Sequence, residues 1–170
     1  MHHKPKNIMD KILKKLSYGH YILTARKPAE EMQTRNQDYL SAGTVSWAMQ
    51  SSFEPPMITV AVQLNQDLHE TIDKSGHFAL HILHEDQDKL VKAFGQTSEI
   101  TPDTINGVPY IIDEKGLPVL QDVVGFIDCK VQETVRSGDH MLIIGQVENG
   151  SLNQDVEPLH TAVSEFYYHH

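Results

Sequence analysis

Cysteine and long apolar segments are both scarce in this chain. Among its 170 residues Cys129 is the single cysteine, so no intrachain disulfide framework and no zinc cluster built from cysteines is available. No apolar run approaches the roughly 20 residues that cross a bilayer, and residues 1–10 lack the apolar stretch of a secretory signal. The sequence therefore predicts a soluble, cytoplasmic protein with no membrane partner.

Positive charge is also scarce outside the N-terminal segment. The formal net charge is -9, of which residues 1–35 carry +5 and the remainder -14. A nucleic-acid partner requires a basic face, and the six lysines and arginines spread over residues 36–170 do not provide one. No nucleic-acid partner is expected, and the basic N-terminal segment is typical of a solvent-exposed amphipathic helix.

Length and composition predict one globular domain. Hydrophobic residues make up 39% of the chain, and at this length folding removes roughly 68–70% of the extended-chain surface from water. We expect a single domain over residues 1–170. It would comprise an N-terminal helical segment (1–17), a barrel core (18–150) and a C-terminal tail or edge strand (151–170).

Three short helices are predicted from apolar residues at helical spacing. They cover Asn7 to Leu16, Asp67 to Lys74, and Asp86 to Phe94. Asp67 is the expected N-cap of the second helix. Gly76 and Gly95 are the expected stop residues of the second and third helices.

Six or seven strands are predicted between and after these helices. They cover Tyr18 to Ala25, Tyr39 to Met49, Met57 to Leu64, Phe78 to Leu83, Val124 to Val135, His140 to Glu148 and, as an edge strand, Val163 to Tyr168. Arg26 to Asp38 and Gln96 to Leu117 are expected to be loops, the latter with at most a short strand at Val108 to Ile112. Arg136 to Asp139 is the expected hairpin turn. Because strands and helices do not alternate throughout, the pattern favours a mainly β (α+β) fold with an antiparallel barrel.

A metal site is not expected from the eleven histidines. On a strand, side chains alternate between faces, so His77 and His81 would lie on one side and His84 on the other. The histidine pairs at both termini would lie on chain ends that are rarely ordered. Surface or half-buried histidines without a metal are the favoured interpretation.

No motif for a side-chain nucleophile or a nucleotide-binding loop is present. Ser137, Asp139 and His140 lie too close along the chain to place a base on a nucleophile with a third group behind it. The G-x-S-x-G, G-x-G-x-x-G and G-x-x-x-x-G-K patterns are all absent. A hydrolytic triad is therefore only weakly indicated, and binding through a Rossmann or P-loop motif is excluded.

Three segments carry the remaining functional signal. Gly43 to Pro56 ends a strand in small hydroxyl residues and a rigid turn, which suits an anionic or heterocyclic ligand. Asn65 to Phe78 is a strand-to-helix turn whose helix N-terminus can bind phosphate. The third segment is Asp128 to Lys130 with Ser137 to His140 at a hairpin tip. Each segment alone also has an ordinary structural interpretation.

In their order and spacing these segments resemble the flavin reductase family, whose fold is the FMN-binding split barrel. The resemblance runs from Tyr18 to about Gly150. Its landmarks are Tyr21 to Ala25, Ser46-Trp47 to Pro55-Pro56, Lys74 to Leu80, Gly116 to Leu120, Asp128-Cys129, and Gly138 to His140.

The resemblance implies a homodimer that binds FMN in a cleft between subunits and reduces it with NADH or NADPH. It further implies delivery of electrons to a flavin-dependent oxygenase or an electron-transfer partner. The residues implied to contact FMN are Thr44, Val45, Ser46, Trp47, Ser51, Ser52, Asn65, Leu68 and His69. His140 matches the family's barrel-rim histidine, which borders flavin and nicotinamide, and it is the candidate catalytic residue. The alternative is that His140 only begins a strand.

One segment departs from the family pattern. Many relatives carry a cation and a hydroxyl residue in the strand-to-helix turn, where this chain has Asn65, Gln66, Asp67 and Leu68. A carboxylate at Asp67 would repel a phosphate at the helix N-terminus, so a compensating cation is needed. The candidates for that cation are Arg26, Lys27 and Arg35.

Two other functions remain open. One is a non-enzymatic FMN-binding module for electron transfer or sensing, because a fold alone does not establish catalysis. The other is a split-barrel protein that binds haem or no cofactor. A flavin carries the redox chemistry itself, which agrees with the lack of any nucleophile motif in this sequence.

Overall fold

The structure is a computed structural model that describes residues 8–27 and 39–160. The helices are α1 (Ile8–Leu13), α2 (Asp67–Ser75) and α3 (Asp88–Phe94). The strands are β1 (Tyr21–Lys27), β2 (Tyr39–Val45), β3 (Ala48–Phe53), β4 (Pro56–Gln63), β5 (His77–Ile82), β6 (Thr104–Ile105), β7 (Val108–Ile112), β8 (Pro118–Leu120), β9 (Gly125–Ser137) and β10 (His140–Leu152).

Seven of these strands form one sheet in the order β2-β1-β5-β9-β10-β4-β3, with every pair antiparallel. The two edge strands, β2 and β3, are joined by Ser46 and Trp47 alone. The backbone N–H of Ala61 on β4 donates to the Trp47 carbonyl at 2.9 Å. The sheet therefore curls until its edges meet at this short connection, which we call the seam. The predicted antiparallel split barrel is confirmed.

The barrel interior is filled from alternate positions of its strands. On β4, Ile58, Val60 and Val62 are buried while their neighbours are partly exposed, as expected for a strand with one face on the core. Phe78 is fully buried, and a Cβ atom at Gly145 would lie 2.8 Å from its ring. Glycine at this position lets β10 approach the ring closely. Leu68 and Ile72 of α2 join the same core cluster.

A second core cluster lies under α3 and a separate three-stranded sheet of β6, β7 and β8. Gln96 to Leu117 was expected to be a loop, and this is wrong because β6 and β7 pair within it. The short strand that the sequence allowed at Val108 to Ile112 is present as β7. The side chains of Ile105, Val108 and Leu120 are buried in the second core cluster and hold this small sheet in place. The surrounding Thr, Pro, Asp and Gly residues had favoured a loop.

Three other strand predictions need correction. Tyr39 to Met49 is not one strand, because the chain bends at the seam between β2 and β3. The first strand runs from Tyr21 to Lys27 rather than from Tyr18 to Ala25. The described residues contain ten strands instead of six or seven, since β3 and the three short strands gave weak sequence signals.

The helix and turn predictions hold with shifted boundaries. α1 and α3 are shorter than predicted, and the N-cap of α2 is Gln66 rather than Asp67, without a side-chain capping bond. Gly76 ends α2 with φ of 70°, and its N–H donates to the Ile72 carbonyl at 2.8 Å. The hairpin turn contains only Gly138, at φ of 62°, and Asp139.

The chain segments that enter and leave the barrel lie side by side. Gly19, just before β1, forms an isolated antiparallel bridge with His160, and His84 bridges Pro158. The edge strand expected at Val163 to Tyr168 lies outside the described residues. The division into residues 1–17, 18–150 and 151–170 within one domain stays a prediction.

Within the described ranges, no helix combines the length and the apolar composition that crossing a membrane requires.

Candidate functional site

A shallow, open recess with about 10 Å³ of enclosed space lies at the seam. It is formed where β2 ends, where the two-residue connection bends, and where β4 runs beside it. The residues that line it are Thr44, Val45, Ser46, Trp47, Ala61, Val62, Gln63 and Gln66. Closure of the sheet thus brings hydroxyl, amide, aromatic and backbone groups from two distant segments to one place.

Ser46 is held on the inner side of the recess by a buried histidine. Its hydroxyl lies 2.9 Å from Nδ1 of His20, and the two residues are 3% and 1% exposed. The ring of Tyr18 meets that of His20 edge-on at 5.8 Å between centroids. A hydroxyl fixed by a buried ring is preorganised, because its position does not depend on solvent.

Trp47 and His140 form the aromatic rim of the recess. Their ring centroids are 5.0 Å apart at an interplanar angle of 38°, and Trp47 is 38% exposed. His140 pairs with Gln63 across β10 and β4, which places it beside the lining of the recess. Its Nδ1 lies 2.6 Å from a carboxylate oxygen of Asp139, which is itself exposed. That carboxylate orients the imidazole toward the rim and favours a proton on Nδ1.

The end of β2 is fixed from behind by α2 and α3. The Thr44 hydroxyl donates to the Val91 carbonyl at 2.7 Å. A Cβ atom at Gly43 would lie 3.2 Å from the Leu68 side chain. Helix packing therefore holds the backbone of β2 rigidly where it approaches the seam.

The strand-to-helix turn after β4 contributes amides rather than charge. The Gln66 side-chain amide donates to Oε1 of Gln63 at 3.3 Å, so the two lining amides are linked. The Asp67 carboxylate accepts a hydrogen bond from the Tyr39 hydroxyl at 3.2 Å. Neither lysine nor arginine lines the recess within the part of the chain that is described.

The three cations proposed for phosphate binding are placed unequally. Arg26 donates to the Gly116 carbonyl at 3.3 Å. Lys27 is 8% exposed, and its ammonium group lies 3.6 Å from a carboxylate oxygen of Glu70. Arg35 lies outside the described residues. Two of the three are therefore already engaged by other parts of the chain.

Of the nine residues expected to contact FMN, four line the recess: Thr44, Val45, Ser46 and Trp47. The other five do not line it: Ser51, Ser52, Asn65, Leu68 and His69. Ser51 lies on the exposed β3 edge and accepts a hydrogen bond from Thr59 at 2.8 Å. Leu68 is 2% exposed and packs in the barrel core, which leaves only its backbone for a ligand.

Sequence reasoning missed the β4 side of the recess and the buried histidine behind Ser46. Gln63 is the last residue of β4, and its pairing with His140 depends on strand register, which the sequence pattern does not reveal. His20 lies between the N-terminal helix and β1. Its position next to a strongly apolar strand was the one sequence feature that could have indicated a buried, hydrogen-bonded histidine.

A second polar cluster lies away from the recess, around the buried carboxylate of Asp128. The Lys115 ammonium lies 3.0 Å from Asp128 and 2.6 Å from Glu148. Burial raises the pKa of Asp128, while Lys115 opposes that shift. The hydrogen bond with Lys115 lowers the pKa of Glu148. Burial and these carboxylates raise the pKa of the Cys129 thiol to about 12, so it stays protonated and unreactive.

His81 has a different environment from the histidines at the seam. It is fully buried, its Nδ1–H donates to the Ile22 carbonyl at 3.0 Å, and its Nε2 accepts from the Leu120 N–H at 3.1 Å. Burial lowers its pKa to about 4, so the ring is neutral and fully bonded. His84 faces Asp86 and Asp122 instead. Within residues 8–27 and 39–160, no group of three or more His, Cys, Asp or Glu side chains is placed to hold a metal ion.

Comparison with known proteins identifies the family. A model of the flavin reductase like domain matches residues 13–169. Diflavin flavoprotein A 1 from Synechocystis is 30% identical over 143 residues, which are 84% of this chain and 23% of that protein. High molecular weight rubredoxin from Moorella thermoacetica is 29% identical over 161 residues, which are 94% of this chain and 65% of that protein.

Among solved structures, the styrene monooxygenase flavin reductase from Pseudomonas putida S12 superposes with a TM-score of 0.75 at 23% identity. The match covers 95% of this chain and 96% of that one. At this identity the likeness establishes the split-barrel fold. The chain spans only about a quarter of the length of the diflavin flavoproteins, 23% in each of the first two matches. The residues matched by the family model nevertheless include the whole barrel and its seam, and the chain belongs to the flavin reductase-like domain family, whose members bind flavin.

Proposed function

We propose that this chain is an NAD(P)H:flavin oxidoreductase that binds FMN at the seam. The observation that carries the proposal is the Trp47–His140 pair, with ring centroids 5.0 Å apart, beside a recess lined by a preorganised serine and by backbone groups. Hydride transfer between two flat heterocycles requires stacking surfaces and polar donors rather than a nucleophile. The recess supplies those two kinds of groups.

The recess residues fit the chemistry of a flavin. Trp47 offers an aromatic face to the ring system, and the Ser46 hydroxyl and the backbone at the seam offer hydrogen-bonding groups to its polar edge. The linked amides of Gln63 and Gln66 offer further donors and acceptors. When bound, FMN supplies the redox chemistry by accepting a hydride from the nicotinamide, which is thereby oxidised. His140, oriented by Asp139, would border the nicotinamide.

One chain alone provides an incomplete site, which supports the proposed homodimer. Ligand pockets usually enclose roughly 300–1,000 Å³, whereas the recess encloses only about 10 Å³ and is open to solvent. A second copy placed against the open side would complete the enclosure. NADH and NADPH are not distinguished by any described side chain, and the cytoplasmic location stays a prediction.

The test is a visible absorption spectrum of the purified protein with FMN, recorded under anaerobic conditions before and after NADH or NADPH. We expect visible absorption bands of bound flavin that bleach when the nucleotide reduces it. Trp47→Ala should weaken flavin binding, whereas Ile111→Ala, at an exposed position of the small sheet, is the matched control. A protein that binds FMN without bleaching would contradict the reductase proposal.

That contradictory outcome would support an electron-transfer module. The observation in its favour is the similarity to a protein named high molecular weight rubredoxin and to proteins named diflavin flavoproteins. Such a module would receive electrons from a protein donor. The same preparation would then bleach with a reduced carrier protein such as rubredoxin and not with either nicotinamide. The same similarity keeps two downstream partners in the proposal: a redox protein and a flavin-dependent oxygenase.

A further inference from the structure

A buried histidine stands directly behind the recess, on the inner side of Ser46. His20 is 1% exposed, and Ser46, which lines the recess, is 3% exposed. Nδ1 of His20 lies 2.9 Å from the Ser46 hydroxyl oxygen, across 26 positions of the chain. Burial of a polar ring costs free energy unless the ring is hydrogen-bonded, so this contact is maintained in the folded chain. The contact fixes the Ser46 oxygen, and the ring also decides which way the hydroxyl hydrogen points.

The direction of the hydroxyl hydrogen depends on the tautomer of the imidazole. A serine hydroxyl has one hydrogen to donate and two lone pairs that accept. If Nδ1 of His20 carries a proton, it donates to the Ser46 oxygen, and the hydroxyl hydrogen is left to point into the recess. If Nδ1 is unprotonated, the hydroxyl donates to it and a ligand in the recess meets lone pairs only. The proton on one ring nitrogen therefore decides whether Ser46 acts as a donor or as an acceptor toward a ligand.

The other hydroxyl of the recess lining is committed elsewhere. Thr44 donates its hydroxyl hydrogen to the Val91 carbonyl at 2.7 Å, so its oxygen can only accept from a ligand. The Gln66 amide donates to Oε1 of Gln63 at 3.3 Å, which engages one of its two hydrogens. Of the two hydroxyls that line the recess in the described part of the chain, Ser46 is therefore the one that can donate.

A hydroxyl donor at this position favours the reduced form of a bound flavin. Uptake of a hydride adds negative charge to the polar edge of the ring system. A donor that is already fixed in place stabilises this added charge more than it stabilises the neutral, oxidised ring. Because Ser46 and His20 are both buried, no solvent has to reorganise around them as the charge develops.

We infer that His20 is a positioning residue whose Nδ1–H donates to Ser46 and so keeps the Ser46 hydroxyl hydrogen directed into the recess, toward the reduced flavin. The inference rests on the proposed flavin site. It concerns the preference for reduced over oxidised flavin, not the transfer of the hydride.

His81 provides the matched control for this arrangement. Its Nδ1–H donates to the Ile22 carbonyl at 3.0 Å, and its Nε2 accepts from the Leu120 N–H at 3.1 Å. It therefore has the protonation that we assign to His20, and it is equally buried. Its partners are backbone groups and not a hydroxyl of the recess, so its loss should affect folding without affecting the flavin.

The first experiment determines the tautomer in the wild-type chain without any ligand. In protein labelled with ¹⁵N-histidine, the chemical shift of a ring nitrogen distinguishes a protonated atom from an unprotonated one. Spectra of His20→Asn and His81→Gln, in each of which one set of signals disappears, assign the two rings. We expect Nδ1 of His20 to be protonated, as Nδ1 of His81 is. An unprotonated Nδ1 at His20 would overturn the inference.

The second experiment measures the two-electron potential of bound FMN. It is an anaerobic titration with dithionite and an indicator dye, so it requires no nicotinamide. The difference from the potential of free FMN gives the ratio of the affinities for reduced and oxidised flavin. We expect His20→Leu to lower this ratio at least tenfold, which equals about 30 mV. An unchanged or increased ratio would contradict the inference.

Three variants separate positioning from a purely structural role. His20→Asn places an amide near the position of Nδ1 and should restore the ratio to within threefold of wild type. In the Ser46→Ala background, His20→Leu should change the ratio less than twofold, because no hydroxyl remains to be directed. His81→Leu should lower the free energy of unfolding but leave the ratio within twofold.

Two results would show that His20 acts through folding alone and that the inference is wrong. One is an equal loss of the ratio in His20→Leu and His81→Leu. The other is a full effect of His20→Leu in the absence of the Ser46 hydroxyl. The tautomer measurement uses wild type and decides the inference even if His20→Leu does not fold.

The outcomes also distinguish this inference from the proposed function. If FMN binds and bleaches with nicotinamide but His20→Leu keeps the ratio, the inference is wrong and the reductase proposal stands. If FMN binds with the expected ratios but neither NADH nor NADPH bleaches it, the reductase proposal is wrong and the inference is supported. A wild-type chain that binds no FMN contradicts both.

Discussion

Two regions of this barrel are built around buried histidines whose partners differ. His81 joins β1, β5 and β8 with both ring nitrogens bonded to the backbone and no exposed surface. At the seam, His140 is 4% exposed, its Nδ1 contacts the exposed carboxylate of Asp139, and its ring lies tilted against the partly exposed ring of Trp47. A histidine saturated by backbone groups holds strands together, whereas one held between a carboxylate and an aromatic rim is placed to meet a ligand.

The largest expected effect breaks the first region. His81→Phe would leave the Ile22 carbonyl and the Leu120 N–H buried without partners, which costs about 2–5 kcal/mol of unfolding free energy. Urea denaturation measures this loss. FMN affinity of the folded variant should change less than twofold, because His81 does not line the recess. A large loss of affinity at full folding would contradict the separation of the two regions.

The pH dependence of stability sharpens the comparison. The folded-state pKa of His81 is about 4, below the ordinary 6.5, so the unfolded chain binds more protons between these values. Stability from this residue is complete above about pH 6.5 and is lost as the pH falls toward 4. Wild type should lose about 2–3 kcal/mol more than His81→Gln between pH 7.5 and 4.5. If the unfolding free energies of the two proteins fall equally across this pH range, the expectation is wrong.

A moderate effect is expected at the rim. Trp47→Ala removes the ring that stacks on His140 and should weaken FMN binding about tenfold, or about 1.4 kcal/mol. Since Trp47 is 38% exposed, the unfolding free energy should fall by less than about 1 kcal/mol. Flavin titration followed by fluorescence measures the affinity. Trp47→Phe keeps an aromatic face and should restore most of it.

The smallest effect is expected on the exposed side of β3. Ser51 faces solvent and accepts a hydrogen bond from Thr59, away from the recess lining. Ser51→Ala should therefore change FMN affinity less than twofold, whereas Ser46→Ala should change it more. If Ser51→Ala changes the FMN affinity more than Ser46→Ala does, the flavin lies along β3 instead of at the seam.

Much of the fold was predictable because the strands alternate and the helices end at glycine. Met57 to Leu64, Phe78 to Leu83 and the long hairpin each combine β-branched residues with turn signals, and all are strands here. β3 was missed because Met49 to Ser52 are exposed or half-buried and mostly polar, so no apolar face marks an edge strand there.

The site was predictable only in part. The resemblance selected Thr44 to Trp47, which line the recess, because that segment is contiguous in sequence. Gln63 reaches the same recess through its pairing with His140, 77 positions later in the chain, and depends on a register that local patterns leave open. Ser51 and Leu68 were predicted to contact FMN because they follow the matched segments in the chain. In the structure Ser51 bonds Thr59 on the exposed edge and Leu68 is buried in the core.

The bridge between Gly19 and His160 has a consequence for how such a barrel is used. The chain therefore enters the barrel at Gly19 and reaches His160 at an adjacent point. Joining the barrel to another folded unit then requires no rearrangement of its topology. The matched region is 23% of the length of diflavin flavoprotein A 1, so in that protein a region of this kind is joined to further chain.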